Sequence, residues 1–243
     1  MKRKVDCLLL IFGAISLIAT LCLLPSARAS EATVNPNMLP MFGQPKIERT
    51  EDLRNADESF VRDNTLRYRS RQAASTAIAA QGWGAVKTKQ FETAMLRFNQ
   101  AWLLNPANYR AFWGFGAVLS QQGRLAEAVE QLETARELID EPAQRSALLS
   151  DLATVQSEYA ASLPPERQLE RAQRFILANN RFTESLENDP AFAPAWREWA
   201  ISLYEQERFR EAWLRVKRAR ELNADPFPPD FLKKLAAKMP EPN

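Results

Sequence analysis

Apolar positions fall at helical spacing through most of the chain after residue 50, with small residues recurring among them at fixed places. Ala94, Phe98 and Ala101 lie at i, i+4 and i+7, so they share one helix face, small against large against small. The triplet returns 34 residues later as Ala128, Leu132 and Ala135, and Gly82 returns at the same interval as Gly116. Such a period marks an array of helical hairpins, in which each unit hides its apolar face only by stacking on the next.

The pattern predicts the elements of each unit. In the first (residues 75–108), a helix over 70–87 carries Gly82, Lys89 and Gln90 make the turn, and a second helix over 92–104 ends at Asn105-Pro106. In the second (109–142), helices over 109–121 and 125–138 flank Gly123, and the unit closes near Asp140 to Pro142. A fourth unit (193–226) reads Trp196, Trp199, Ala200 and Leu203, then Phe209, Ala212, Val216, Ala219 and Leu222.

The third (143–192) is weaker, with Leu149, Ser150 and Ala153 followed by Phe175, Ala178, Phe182, Ser185 and Pro190, and it is about sixteen residues longer than its neighbours. A proline pair cannot continue a helix but can begin one, so two lengthened helices meeting at Pro164-Pro165 are predicted. A buried large side chain contributes only about 1.5 to 3 kcal/mol, so at least roughly three stacked units are needed for a stable core.

The ends need lids. Phe231, Leu232, Leu235 and Ala236, with Lys233, Lys234 and Lys238 opposite, predict a capping helix within 227–240. Leu53, Ala56, Phe60 and Val61 predict a helical segment over 51–69 at the other end. Residues 30–50, with Pro36, Pro40, Pro45 and Gly43 and no periodicity, read as a flexible lead-in.

This arrangement resembles the tetratricopeptide repeat (TPR), in which a large and a small residue on a first helix precede alanine, aromatic, alanine and proline along a second. Unit one supplies Ile78, Gly82, Phe91, Ala94, Phe98, Ala101, Leu104 and Pro106. Unit two supplies Phe112, Phe115, Gly116, Leu119, Gly123, Ala128, Leu132, Ala135 and Leu138. Asp140 stands where the motif expects proline, and Ala85 where it expects a large residue.

The resemblance implies an all-α solenoid of about four helical hairpins with a C-terminal capping helix, its first helices lining a concave groove for a protein or peptide. Carried onto this chain, the groove places include Trp83, Lys87, Arg110, Trp113, Gln121, Asp151, Arg197 and Tyr204. Thr76, Ala79, Val86, Ala117, Ser120, Gln144, Ala147, Thr154, Val155, Pro194, Ile201 and Glu205 fill neighbouring places. Trp, Tyr and Arg are residue types that binding surfaces use. Trp83, Trp113, Trp196 and Trp199 are equally spaced as core residues, and Lys87 and Arg110 suit a solvated face, so packing stands beside recognition as a reading of each. The Lys, Asn and Arg clamp of chaperone-tail repeats is missing, because Ala79, Trp83, Trp113, Ala117, Ala147 and Asp151 occupy its places.

Met1-Lys2-Arg3-Lys4, an apolar run from Leu8 to Leu24, and Ala27-Arg28-Ala29 before Ser30 have the three regions of a signal peptide, residues 1–29. Cleavage there predicts export, to the periplasm in a double-membraned bacterium. A retained membrane anchor is the alternative, since the run approaches the length of a span. Leu21 before Cys22 is too bulky for a lipoprotein site.

The leader changes the composition of what remains. Lys2, Arg3, Lys4 and Arg28 against Asp6 give it +3, while the whole chain carries +2, so the remainder is near −1 and offers no case for nucleic acid. Both cysteines, Cys7 and Cys22, lie in the leader as well.

The chain has no histidine, which excludes Ser-His-Asp, Cys-His and His-ligated metal chemistry. Acids such as Glu127, Glu130, Glu133 and Glu137 accompany Arg124 and Arg136 as a solvated helix face rather than an acid–base pair. No enzyme activity, cofactor or metal is therefore expected. Met38 and Met41 as a copper(I) pair are better read as part of a linker. Arg208, Arg210, Arg215, Lys217, Arg218 and Arg220 outnumber nearby acids on the last repeat helix, which suits a solvated outer face, an acidic partner or proximity to an anionic membrane. The function expected is an exported scaffold or assembly factor. The alternative is an accessory or regulatory subunit of a cell-envelope enzyme or polysaccharide-export complex, suggested by the long third unit.

Overall fold

A computed structural model describes residues 35–242; the expected signal peptide, residues 1–29, lies outside the described residues. Ten α-helices follow one another in the described part: α1 (Glu51–Tyr68), α2 (Arg71–Lys87), α3 (Phe91–Leu104), α4 (Tyr109–Gln121), α5 (Leu125–Leu138), α6 (Pro142–Ser162), α7 (Gln168–Asn188), α8 (Ala193–Glu205), α9 (Phe209–Glu221) and α10 (Phe231–Lys238). The fold is all-α and TPR-like: α2 pairs with α3, α4 with α5, α6 with α7 and α8 with α9, and each hairpin packs on the next. No helix among the described residues is long and apolar enough to cross a membrane.

Three of the four hairpins turn in the same way. Lys89, Gly123 and Glu207 adopt φ of 57°, 74° and 60°. The following amides, of Gln90, Arg124 and Arg208, donate back to the carbonyls of Ala85, Leu119 and Leu203 at 2.9, 3.0 and 2.9 Å. This is the left-handed helix ending that satisfies otherwise orphaned carbonyls. Glycine occupies it once; lysine and glutamate hold it against their own preference.

Within each hairpin, and from one hairpin to the next, the small-large-small code becomes contact. Ala94, Phe98 and Ala101, like Ala128, Leu132 and Ala135, are buried. A Cβ on Gly116 would stand 2.5 Å from Leu132 Cγ and 3.2 Å from the Ala128 carbonyl oxygen, so α4 and α5 meet at a separation only glycine permits. The Phe98 ring is pressed from two helices: a Cβ on Gly82 would come within 2.6 Å of it and one on Gly114 within 2.3 Å.

Buried hydroxyls pin the stack. Ser75 Oγ donates to the Ala101 carbonyl at 2.6 Å and accepts from Asn108 Nδ2 at 2.7 Å, while Asn108 Oδ1 caps α4 at the Arg110 amide. In the third hairpin Ser146 and Ser185 each donate to the other's carbonyl at 3.0 and 2.8 Å. That hairpin has two helices of 21 residues joined through Pro164 and a 3-10 turn, Pro165–Arg167. At the far end α10 buries Phe231 and Leu235, and Trp213 Nε1 donates to the Met239 carbonyl at 2.9 Å.

The lead-in departs from expectation. From Asn35 onward it is an ordered strap, with 3-10 turns at Pro36–Met38 and Pro40–Gly43 packed on α3. Phe42 is 3% exposed, with the Arg49 guanidinium 4.2 Å over its ring and Arg49 paired to Asp57 at 2.6 Å. Asn99, fully buried in the middle of α3, accepts from the Phe42 amide at 3.0 Å and donates to the carbonyls of Leu39 and Asn37 at 2.9 and 3.2 Å. Proline-rich stretches lack local periodicity, so sequence spacing could not reveal order that comes from a residue some sixty positions away.

Candidate functional site

The first helices α2, α4, α6 and α8 line a run of three clefts. One, of about 550 Å³, lies among Thr76, Trp83, Lys87, Arg110, Trp113 and Gln144. It shares Lys87 and Trp113 with a second, of about 320 Å³, bounded also by Lys89, Ser120, Gln121, Asp151, Thr154 and Glu158. Thr154 and Glu158 in turn border a third, of about 380 Å³, reaching Glu198, Ile201 and Glu205 on α8.

Aromatic packing sets the wall of the first two. Trp83 meets Trp113 edge to face at 5.4 Å and Phe98 at 5.5 Å, and Trp113 stacks on Tyr109 at 6.5 Å. Core and groove readings of these tryptophans therefore merge, because one ring face packs inward while the remaining edge borders a cleft. Trp113 Nε1 donates to Asp151 Oδ2 at 2.8 Å across the α4–α6 boundary. Arg110 is clamped by the Glu141 carboxylate at 2.5 and 2.6 Å, with its guanidinium 5.1 Å over the Tyr109 ring.

The electrostatics change along the run. Asp151 is open to the groove, yet the concave walls displace much of the water that would solvate its charge. This loss of hydration lifts its carboxyl from the ordinary 3.8 to about 6, with the Trp113 N–H opposing and the Glu198 charge adding to the rise. Glu158 is raised by the same loss of hydration, eased by Ser120 and reinforced by Glu198. Glu198 is raised too, with Arg197 opposing. Glu198 on α8 thus raises both Asp151 and Glu158 on α6, and it faces Glu158 across the third cleft.

Of the groove places read from the sequence, the structure brings Trp83, Lys87, Arg110, Trp113, Gln121 and Asp151 together around the first two clefts. Arg197 and Tyr204 stand apart, which corrects that part of the expectation. Arg197 pairs with Glu198, donates to the Pro226 carbonyl at 3.0 and 3.1 Å and lies over Phe227. Tyr204 packs on Phe209 and Phe231 at 5.7 and 5.8 Å. The segment leading into α10 occupies the place of a following hairpin, so these side chains serve the cap.

Glu158 and Glu198 were not among the places read from sequence. Glu158 lies seven residues beyond Asp151, two turns along the same face, but the repeat pattern ends at Val155 whereas α6 continues to Ser162. Among the described residues no group of three or more His, Cys, Asp or Glu side chains is placed to hold a metal ion. What the arrangement offers chemically is a contact surface: flat aromatic area, hydrogen-bonding amides and hydroxyls, and charges of both signs.

The class defined by these hairpins and clefts is an all-α array of TPR-like units. A tetratricopeptide repeat family model matches residues 85–152, from the last turn of α2 into α6. Among solved structures, the crystal structure of YrrB, a TPR protein with an unusual peptide-binding site, is similar at 19% identity over 75% of this chain and 97% of that one, with a TM-score of 0.32. Among curated proteins nothing matches the chain.

Proposed function

We propose that this protein is exported, to the periplasm in a double-membraned bacterium, and binds a segment of another protein along α2, α4, α6 and α8 as a scaffold or assembly factor. The observation that carries the reading is the run of three clefts sharing Lys87, Trp113, Thr154 and Glu158, long enough for an extended segment and lined by side chains from successive hairpins. Repeat arrays expose such surfaces because stacking fixes them without any one unit closing around a ligand.

A photo-crosslinking residue at Gln121 tests it, with Glu130 on α5 as the control. Capture of a partner from Gln121 and not from Glu130 is the expected result; equal capture, or capture from Glu130 alone, refutes the groove. Export is tested separately by the amino terminus of the protein in the exported fraction. Ser30 is expected there, and an intact Met1 in the cytoplasm argues against it.

A second reading, an accessory subunit of an envelope enzyme or export complex, is favoured by the outer face of the long hairpin. Leu169 and Ile176 on α7 are 76% and 59% exposed, beside a cleft lined by Phe175, Asn179 and Glu207, and exposed apolar side chains grouped in this way suit a contact. Leu169→Asp with Ile176→Asp is expected to abolish assembly with such a complex while leaving Gln121 capture intact; assembly that survives the change counts against this reading.

A further inference from the structure

Along the solvated helix faces several carboxylates are matched with an arginine of the same helix or turn at close range. Arg124 holds Glu127, Arg136 holds Glu133, Arg208 holds Glu211 and Arg218 holds Glu221, at 2.5 to 3.0 Å. The middle cleft departs from this habit. It is bordered by Lys87 and Lys89 from the end of α2 and its turn, and by Asp151 and Glu158 from α6. Asp151 and Glu158 reach only neutral donors, Trp113 and Ser120.

The two signs face one cavity without joining, whereas Glu198 in the next cleft is paired with Arg197. Opposite charges held apart across a cavity favour an occupant that supplies the counter-charges itself, most of all at the two carboxylates, where the cleft walls already displace part of the water. The apolar edges of Val86, Trp113 and Val155 between them suit side chains rather than a bare ion.

Resting on the peptide-groove reading above, we propose that the groove selects a zwitterionic segment of a partner protein. A basic side chain lies between Asp151 and Glu158, and a carboxylate lies toward Lys87 and Lys89. Basic charge is the stronger requirement, since Asp151 and Glu158 are held on one helix without an arginine partner whereas the lysines are free to swing into solvent.

Four fluorescein-labelled octapeptides with the same leucine anchors test this by anisotropy: one with a basic and an acidic half, one all basic, one all acidic and one uncharged. The mixed peptide should bind tightest, the basic one next and the acidic one weakest. The mixed-to-acidic ratio should be about tenfold or more at low salt and should collapse toward unity near 0.5 M salt, where the screening length is about 4 Å. Asp151→Asn with Glu158→Gln should remove the preference for basic peptides and leave the uncharged peptide unchanged. Lys87→Gln with Lys89→Gln should weaken the mixed and acidic peptides and should not weaken the basic or uncharged one.

Equal binding of all four, tightest binding of the acidic peptide, or a ranking that survives both double variants would overturn the charge assignment while leaving a groove that binds peptides. No binding of any of the four by the folded protein would sink both the charge assignment and the groove.

Discussion

Gly114→Ala puts the packing of the first two hairpins to the test. The added methyl would sit 2.3 Å from Phe98 Cε1 and Cζ and 2.4 Å from Cε2, where ordinary carbon contacts are about 3.5 to 4 Å. The ring must then retreat by more than about 1 Å, but the backbone at Gly82 closes the other side, where a Cβ would lie 2.6 Å away. Overpacking of this kind costs about 3 kcal/mol at the upper end of its usual range, and alanine recovers about 1 kcal/mol of helix propensity over glycine.

The net loss is therefore about 2 kcal/mol, a fall of about 4 to 8 °C in Tm for a chain of this size. Gly84→Ala is the control, because nothing lies within 4 Å of a Cβ there, and it should gain about 0.5 to 1 kcal/mol. Urea unfolding followed by circular dichroism measures both. Phe98→Leu in the Gly114→Ala background should recover about 1 kcal/mol relative to additivity. If Gly114→Ala matches Gly84→Ala or the parent, the ring is not trapped as described.

Three further outcomes are expected. Asn99→Ala removes the three side-chain bonds that fasten the strap to α3, so the Phe42 amide should exchange hydrogen at least about 30-fold faster, in line with a loss of about 2 kcal/mol; unchanged exchange would show that the Phe42 ring and the Arg49 pair hold it without Asn99. Glu207→Gly relieves a left-handed backbone and should stabilise by about 1 kcal/mol, whereas Gly123→Ala at the equivalent turn should cost about that much, both read by thermal melting. Asp151 has a native pKa raised from 3.8 to about 6, so the folded state binds the extra proton between those values and stability declines as pH rises through that window. Asp151→Asn should flatten the decline and leave the protein more stable than the parent at pH 7, and an unaltered pH profile would contradict the assignment.

The hairpins were legible because their determinants are local and repeated. Ala94, Phe98 and Ala101 announce one face of α3, and their recurrence announces the stacking partner. The aromatic character of the groove was legible for the same reason, as Trp83 and Trp113 sit on the helices the repeat identifies.

Features set by distant partners were hidden. Gly114 acquires its role from a ring on α3, Asn99 from a strap near the amino terminus, and Glu158 from an extension of α6 beyond the repeat's usual length. Arg197 and Tyr204 were misplaced because the pattern treats the last unit like the others, although the chain's own cap covers it.

The strap decides how the molecule can be held. It fastens to α3, a second helix, whereas the clefts are lined mainly by first helices. A bead or chip surface coupled at Asn35 therefore approaches from the α3 side and leaves the clefts unobstructed, and a fusion placed there should not compete with an occupant of them.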